Sequence, residues 1–148
     1  MQIRILKKHP DAIIPQYATA GASGLDLHAR IPHDIYLQPG VRFTCPVGIG
    51  IELPEGFEAQ VRPRSGMAKN HGVTILNAPG VVDSDFRGEI CAILINHGDQ
   101  AFKIEPNQRV AQLVIAPVIR VELVQDGELT ETERGDGGFG STDMKVAA

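Results

Sequence analysis

Apolar and polar residues alternate through Phe57-Glu58-Ala59-Gln60-Val61-Arg62, and Ile49, Ile51 and Leu53 alternate in a stretch that ends at Pro54. A spacing of two sends successive side chains to opposite faces of an extended chain, so both segments read as half-buried strands. Further strands are predicted at residues 1–6, 35–37, 41–46, 73–76, 89–96 and 109–123, the last broken at Pro117, which has no N–H to pair. Many short strands joined by turns predict an all-β fold, a sandwich, jelly roll or barrel. The one helix predicted is a short piece around residues 65–70, closed by His71-Gly72.

Composition strengthens that pattern. Sixteen glycines and ten prolines in 148 residues leave little room for helices of ordinary length. The length fits one domain, read as a β body over residues 1–133 and a flexible glycine-rich C-terminal arm over 134–148 of the same domain. A net charge of −4 argues against nucleic acid as a partner, so a polyanionic ligand would need local arginines, backbone N–H groups and a divalent cation. Cys45 and Cys91 lie in apolar stretches and read as buried reduced thiols. The five histidines share no zinc-like spacing with them. No apolar run approaches a membrane span, which predicts a cytoplasmic protein without a membrane partner.

Several constellations carry chemistry, each with a plainer alternative. Arg134-Gly135-Asp136-Gly137-Gly138-Phe139-Gly140-Ser141-Thr142 can wrap phosphate oxygens with N–H groups, a guanidinium and hydroxyls and cap a base with its ring, or be a loose tail. Pro63-Arg64-Ser65-Gly66-Met67-Ala68 puts a cation and a hydroxyl where a strand gives way to a helix; Ser65 either meets an anion or caps the helix. In Gly80-Val81-Val82-Asp83-Ser84-Asp85-Phe86-Arg87-Gly88-Glu89, read as a hairpin-like loop after the Asn77-Ala78-Pro79-Gly80 turn, Asp83 either orients a water or serves the turn. Asp26, in Ala22-Ser23-Gly24-Leu25-Asp26-Leu27, faces a hydrated metal or another turn. Gln112, in Arg109-Val110-Ala111-Gln112-Leu113-Val114, is an outward polar residue or a phosphate donor.

Taken together and in this order, these segments resemble the five motifs of the trimeric dUTPase family, from about Ala22 to Thr142. The resemblance implies a jelly-roll homotrimer with active sites shared between subunits and a Mg2+-dependent hydrolysis of dUTP to dUMP and pyrophosphate. Such a reaction limits uracil incorporation into DNA and supplies dUMP for thymidylate synthesis. It further implies that Asp83 contacts the deoxyribose 3'-hydroxyl and orders the water attacking the α-phosphorus. Arg64, Ser65, Gly66 and Gln112 would hold the phosphates, and Asp26 would meet magnesium through water. Uracil would be read by Asn77, Val81, Val82 and Cys91, with Phe86 under the sugar. Arg134, Phe139, Gly140, Ser141 and Thr142 would close over the nucleotide.

Three positions depart from the family pattern: Phe86 where Tyr is usual, Asn107 where Gly is usual, and Asp143 where a closing Gly is usual. Asn is among the few residues that tolerate positive φ, so Asn107 keeps that option. A dCTP deaminase of the same fold and a dUTP-sensing regulatory protein are the rival readings. The first would release ammonia rather than pyrophosphate, and the second would bind dUTP without turning it over.

Overall fold

The computed structural model describes residues 1–139. Among these, the chain runs β1 (Arg4–Lys7), β2 (Leu25–His28), β3 (Ile35–Leu37), β4 (Arg42–Pro46), β5 (Ile49–Glu52), β6 (Phe57–Arg62), α1 (Ser65–His71), β7 (Val73–Ile75), β8 (Gly80–Val82), β9 (Cys91–Asn96), β10 (Phe102–Ile104) and β11 (Arg109–Pro117). Every paired strand is antiparallel. A four-stranded sheet has the order β2-β11-β6-β8 and a three-stranded sheet the order β4-β9-β7, while β1-β5 and β10-β3 form two-stranded pairs. Neighbours in space are seldom neighbours in sequence, so the chain crosses repeatedly between sheets in the manner of a jelly roll. Among the described residues the sheets do not close into a barrel, and the sandwich reading holds.

One hydrophobic core joins the sheets. From the four-stranded sheet come Leu27, Ala59, Val61, Val110 and Leu113, and from the three-stranded sheet Cys45, Val73, Ile75, Ala92 and Leu94. β9 shows the alternation that makes this work, with Ala92, Leu94 and Asn96 buried and the residues between them half-buried. β5 departs from the half-buried expectation, because Ile49, Gly50 and Ile51 are all buried. A Cβ on Gly50 would meet Lys8 Cε at 2.8 Å and Gly88 O at 3.0 Å, so this strand is covered on both faces and only glycine lets the covering chain approach.

The helix and most strands lie where the periodicity put them. α1 is one residue longer than expected, and Gly72 closes it at φ 68° with its N–H donating to Ala68 O. Asn107 takes φ 64°, the conformation its side chain tolerates. Beyond Pro117 the expected strand does not continue. β6 begins at Phe57, directly opposite Pro117, so residues 118–123 have no neighbouring strand to pair with. Residues 118–139 contain no strand or helix, and Ile119, Val121 and Leu123 are exposed.

A buried asparagine ties the far end of the sandwich together. Asn96 donates from Nδ2 to Leu37 O and Gln100 O, both at 2.8 Å, and its Oδ1 accepts from Gly98 N–H at 2.8 Å. Asn96→Ala strands two carbonyls and one N–H, each costing about 1–3 kcal/mol when left unpaired. Stability should therefore fall by roughly 3 kcal/mol or more. The check is the denaturant midpoint at fixed chain concentration, and a loss under about 1 kcal/mol would mean that water replaces the side chain.

Candidate active site

The expected site residues of the β body gather in two separate cavities. The first, about 530 Å³, is lined by Asp26, Arg64, Ser65, Gly66, Arg109 and Gln112 among others. Asp26 sits on β2 directly across from Gln112 on β11. Its carboxylate lies between two guanidiniums: Arg109 Nη1 donates to Oδ2 at 3.1 Å, and Arg64 Nε is 3.4 Å from Oδ1. Arg64 also donates from Nη1 to Arg109 O at 3.2 Å. Gln112 donates from Nε2 to Pro63 O at 2.9 Å, pinning the junction where β6 turns into α1. A Cβ on Gly24 would lie 2.4 Å from Gln112 Oε1, so the turn before β2 needs glycine to make room.

At that junction the N-cap position falls on Arg64, which makes no side-chain capping hydrogen bond, and Ser65 is the first residue of the helix. Ser65 therefore is not the cap. Gly66 has open space where a side chain would stand, leaving its backbone approachable. Two residues after Asp26 on β2, His28 Nδ1 is buried without a hydrogen-bond partner among the described residues. Burial lowers the His28 pKa, Asp26 opposes this, and Arg109 and Arg64 lower it further.

The second cavity, about 210 Å³, is lined by Asn77, Val81, Val82, Asp83, Phe86 and Cys91 among others. β8 pairs with β6, with Val82 opposite Ala59, and the chain then turns so that Phe86 N–H donates to Asp83 O at 3.2 Å. Arg87 Nη1 staples the loop to Ser84 O at 2.6 Å and Phe86 O at 2.9 Å. A Cβ on Gly88 would lie 2.4 Å from Phe86 Cζ, so glycine lets the ring lie flat against the backbone. Asp83 is exposed at this loop. Burial, and then Glu89, push the Cys91 thiol pKa up, so it borders the slot as a neutral group.

The two cavities share no lining residue and lie at opposite edges of one sheet, β2 and β8 being three strand spacings apart, about 14 Å. Arg134 donates from Nε to Gly137 O at 2.8 Å within the arm, and Phe139 is fully exposed; neither lines either cavity. Gly140, Ser141, Thr142 and Asp143 lie outside the described residues. Arg109 was not among the expected site residues. Its partner Asp26 is 83 residues away and its orientation depends on a β-bulge, which residue spacing alone does not reveal.

A family model described as dUTPase matches residues 10–143. The chain belongs to the dUTPase family. It is 54% identical over 145 residues to the deoxyuridine 5'-triphosphate nucleotidohydrolase of Beijerinckia indica, covering 94% of this chain and 91% of that protein. The solved Staphylococcus bacteriophage 80alpha dUTPase with dUPNHPP has the same fold, with a TM-score of 0.85 at 22% identity over 95% of this chain and 97% of that one. A mutant dUTPase from phage phi11 of S. aureus, solved with a coordinated structural Mg(II) ion, matches with a TM-score of 0.77 at 19% identity, covering 86% of this chain and 98% of that one.

A metal test of this dUTPase-family chain turns on its donors. Among the described residues no group of three or more His, Cys, Asp or Glu is arranged to hold an ion. Asp26 offers one carboxylate already shared by two arginines. That donor set suits magnesium that arrives with phosphates and keeps its waters, and does not suit a protein-caged ion.

The thiols give a direct check on the core. Burial raises the Cys45 pKa to about 12, against about 9 for a free thiol. The folded chain thus holds this proton between those values while the unfolded chain releases it, so stability should decline as pH rises above about 9. Native Cys45 should stay unlabelled by DTNB at pH 8 and react fully in urea. Rapid native labelling of Cys45 would contradict the packing of β4 against β9.

Proposed function

We propose that this chain hydrolyses dUTP to dUMP and pyrophosphate, by attack of water on the α-phosphorus, with Mg2+ and as a homotrimer. The observation that carries the reading is the pairing of a cationic cavity around Asp26, Arg64 and Arg109 with a smaller slot lined by Asn77, Val81, Val82 and Cys91 that has the carboxylate of Asp83 at its loop. These are the two ends of a nucleoside triphosphate in negative. The curated relatives support the same substrate, being named deoxyuridine 5'-triphosphate nucleotidohydrolases.

In this reading Arg64, the Ser65 hydroxyl, the Gly66 N–H and Gln112 hold the phosphate chain, with charge-assisted bonds from the guanidinium. Asn77 and the backbone around Val81, Val82 and Cys91 read uracil, since fixed N–H and C=O groups reject cytosine by mismatch. Phe86 walls the sugar against a 2'-hydroxyl. Asp83 meets the 3'-hydroxyl and holds the attacking water as its general base. Arg134, Phe139, Gly140, Ser141 and Thr142 close over the nucleotide and exclude water, and the division into body 1–133 and arm 134–148 belongs to this proposal. Magnesium, carried with the phosphates and facing Asp26 through water, supplies charge neutralisation across the triphosphate.

The separation of the two cavities supports sharing of sites between subunits. Arms that leave one body with exposed Ile119, Val121 and Leu123 can find partners on another. Among the described residues no helix is long and apolar enough to cross a membrane, and we assign the chain to the cytoplasm. Sedimentation equilibrium reads the trimer directly.

The central test is pyrophosphate release from dUTP with Mg2+ and then with EDTA, with ammonia release from dCTP as the control for deamination. Asp83→Asn should leave dUTP binding within about tenfold and cut kcat by roughly 10² or more. A kcat near that of the unaltered chain would remove Asp83 from the mechanism. A second variant probes the sugar wall. Gly88→Ala pushes a methyl into the Phe86 ring, whose far end gives way, so the fold should hold while discrimination between dUTP and UTP falls. The ratio of kcat/KM for the two nucleotides measures this, and an unchanged ratio would mean that Phe86 is not the wall.

A further inference from the structure

The loop that carries Asp83 and Phe86 returns to the body along the start of β5. Val47 N–H donates to Ile90 O at 3.2 Å and Ile90 N–H donates to Ile49 O at 2.8 Å. Between these two backbone bonds stands Gly48, whose bend is built in. It takes φ 76°, and a Cβ there would lie 2.7 Å from Ala12 Cβ and 3.2 Å from Arg30 Cδ. Both polar groups of this glycine are spoken for. Its carbonyl accepts from Lys8 N–H at 2.8 Å, and its N–H donates to Glu89 Oε1 at 2.7 Å. The second carboxylate oxygen of Glu89 lies 3.7 Å from His9 Nε2.

We propose that Glu89 is a positioning residue that sets the base-reading slot by accepting the Gly48 N–H, an inference that rests on the proposed role of that slot in binding uracil. Glu89 itself borders the slot, two residues before Cys91 and three after Phe86. Two residues earlier, the Arg87 side chain donates to Ser84 O and Phe86 O and so stiffens the loop. Glu89 locates it. One carboxylate fixes the exit of the loop to the Gly48 bend and, through Lys8 and His9, to the N-terminal segment. Its side chain is about one quarter exposed, enough shielding for a charge-assisted bond to hold its geometry. The requirement is for an acceptor of this length, so an amide oxygen at the same position serves as well.

The experiment compares the full-length chain with Glu89→Gln, Glu89→Ala and Glu89→Asp. Calorimetric affinities for dUMP and dTMP are measured below each thermal midpoint, beside KM and kcat for dUTP. Glu89→Ala should weaken dUMP about tenfold, reduce the preference for dUMP over dTMP, and raise KM while kcat stays within about threefold. Glu89→Gln should keep dUMP affinity within about threefold of the unaltered chain. If Glu89→Ala does not fold, Glu89→Asp, whose carboxylate stops one methylene short of Gly48, should weaken dUMP in the same direction. Unaltered dUMP affinity in the folded Ala or Asp variant overturns the proposal, and so does a Gln variant as impaired as Ala. Failure of the unaltered chain to bind dUMP or turn over dUTP would instead overturn the functional reading beneath it.

Discussion

A regular strand would send Arg109 and Gln112, three residues apart, to opposite faces of the sheet. β11 is not regular there. Arg109 pairs with His28 and Ala111 with Leu27, so Val110 is an extra residue, and Val110 and Ala111 both turn into the core. Arg109 and Gln112 then emerge on the face that carries Asp26, which is what a β-bulge does when it re-aims a side chain. The rest of the cationic cavity depends on this. Gln112 reaches Pro63 and fixes the strand-to-helix junction, and the Arg109 carbonyl takes a hydrogen bond from Arg64. Asp26 is left with a guanidinium on either side.

The two cavities are held by different physics, and the difference matches what the proposed function asks of each. Around the slot, the backbone is fixed by close approach: Gly50 lies under the loop exit, Gly80 against Asn77, and Gly88 under the Phe86 ring. Fixed amides give discrimination, because a base of the wrong pattern leaves buried groups unpaired. Around Asp26 the contacts are ion pairs, with half of the Arg109 side chain exposed. Partly exposed pairs of this kind contribute only about 0–1 kcal/mol. They are therefore cheap to exchange, and the same guanidiniums that hold Asp26 are free to take up phosphate oxygens.

Phe57–Arg62, with its strong alternation, was legible in the residues and lies at the bounds the pattern gave it, and the short Ile35–Leu37 lies where a strand was expected. β2 and β8 were not legible, because they adjoin Gly24 and begin at Gly80 in segments that read as turns, and β10 was not expected either. Two of those strands carry or border the site, so segments that read as turns proved to be short strands with functional residues at their ends. Asp26, Arg64, Ser65 and Gln112 were recognisable through the order of their motifs, and they do line one cavity. Arg109 and Glu89 were not recognisable. Arg109 acts through a bulge, and Glu89 through a donor 41 residues away, neither of which leaves a local signature.

The sheet order adds a constraint on how any nucleotide can be held. β2 and β11 bring Asp26, Arg109 and Gln112 to one edge, while β8 carries Val81 and Val82 to the other, with β6 between them. β6 is held on both sides by hydrogen-bonded neighbours, so the edges cannot approach without breaking the sheet. A nucleotide held by one chain alone would have to bridge the roughly 14 Å between the slot and that chain's own arginines. The acidic background makes this costly to leave unmet, since a triphosphate near a chain of net charge −4 needs cations close by. In the proposed homotrimer, a second copy presenting its Arg64 and Arg109 to the loop of the first would meet that need without deforming either sheet. Closed symmetry in that proposed homotrimer would have every copy give its arginines to one neighbour and receive them from another, a heterologous interface that closes as a ring.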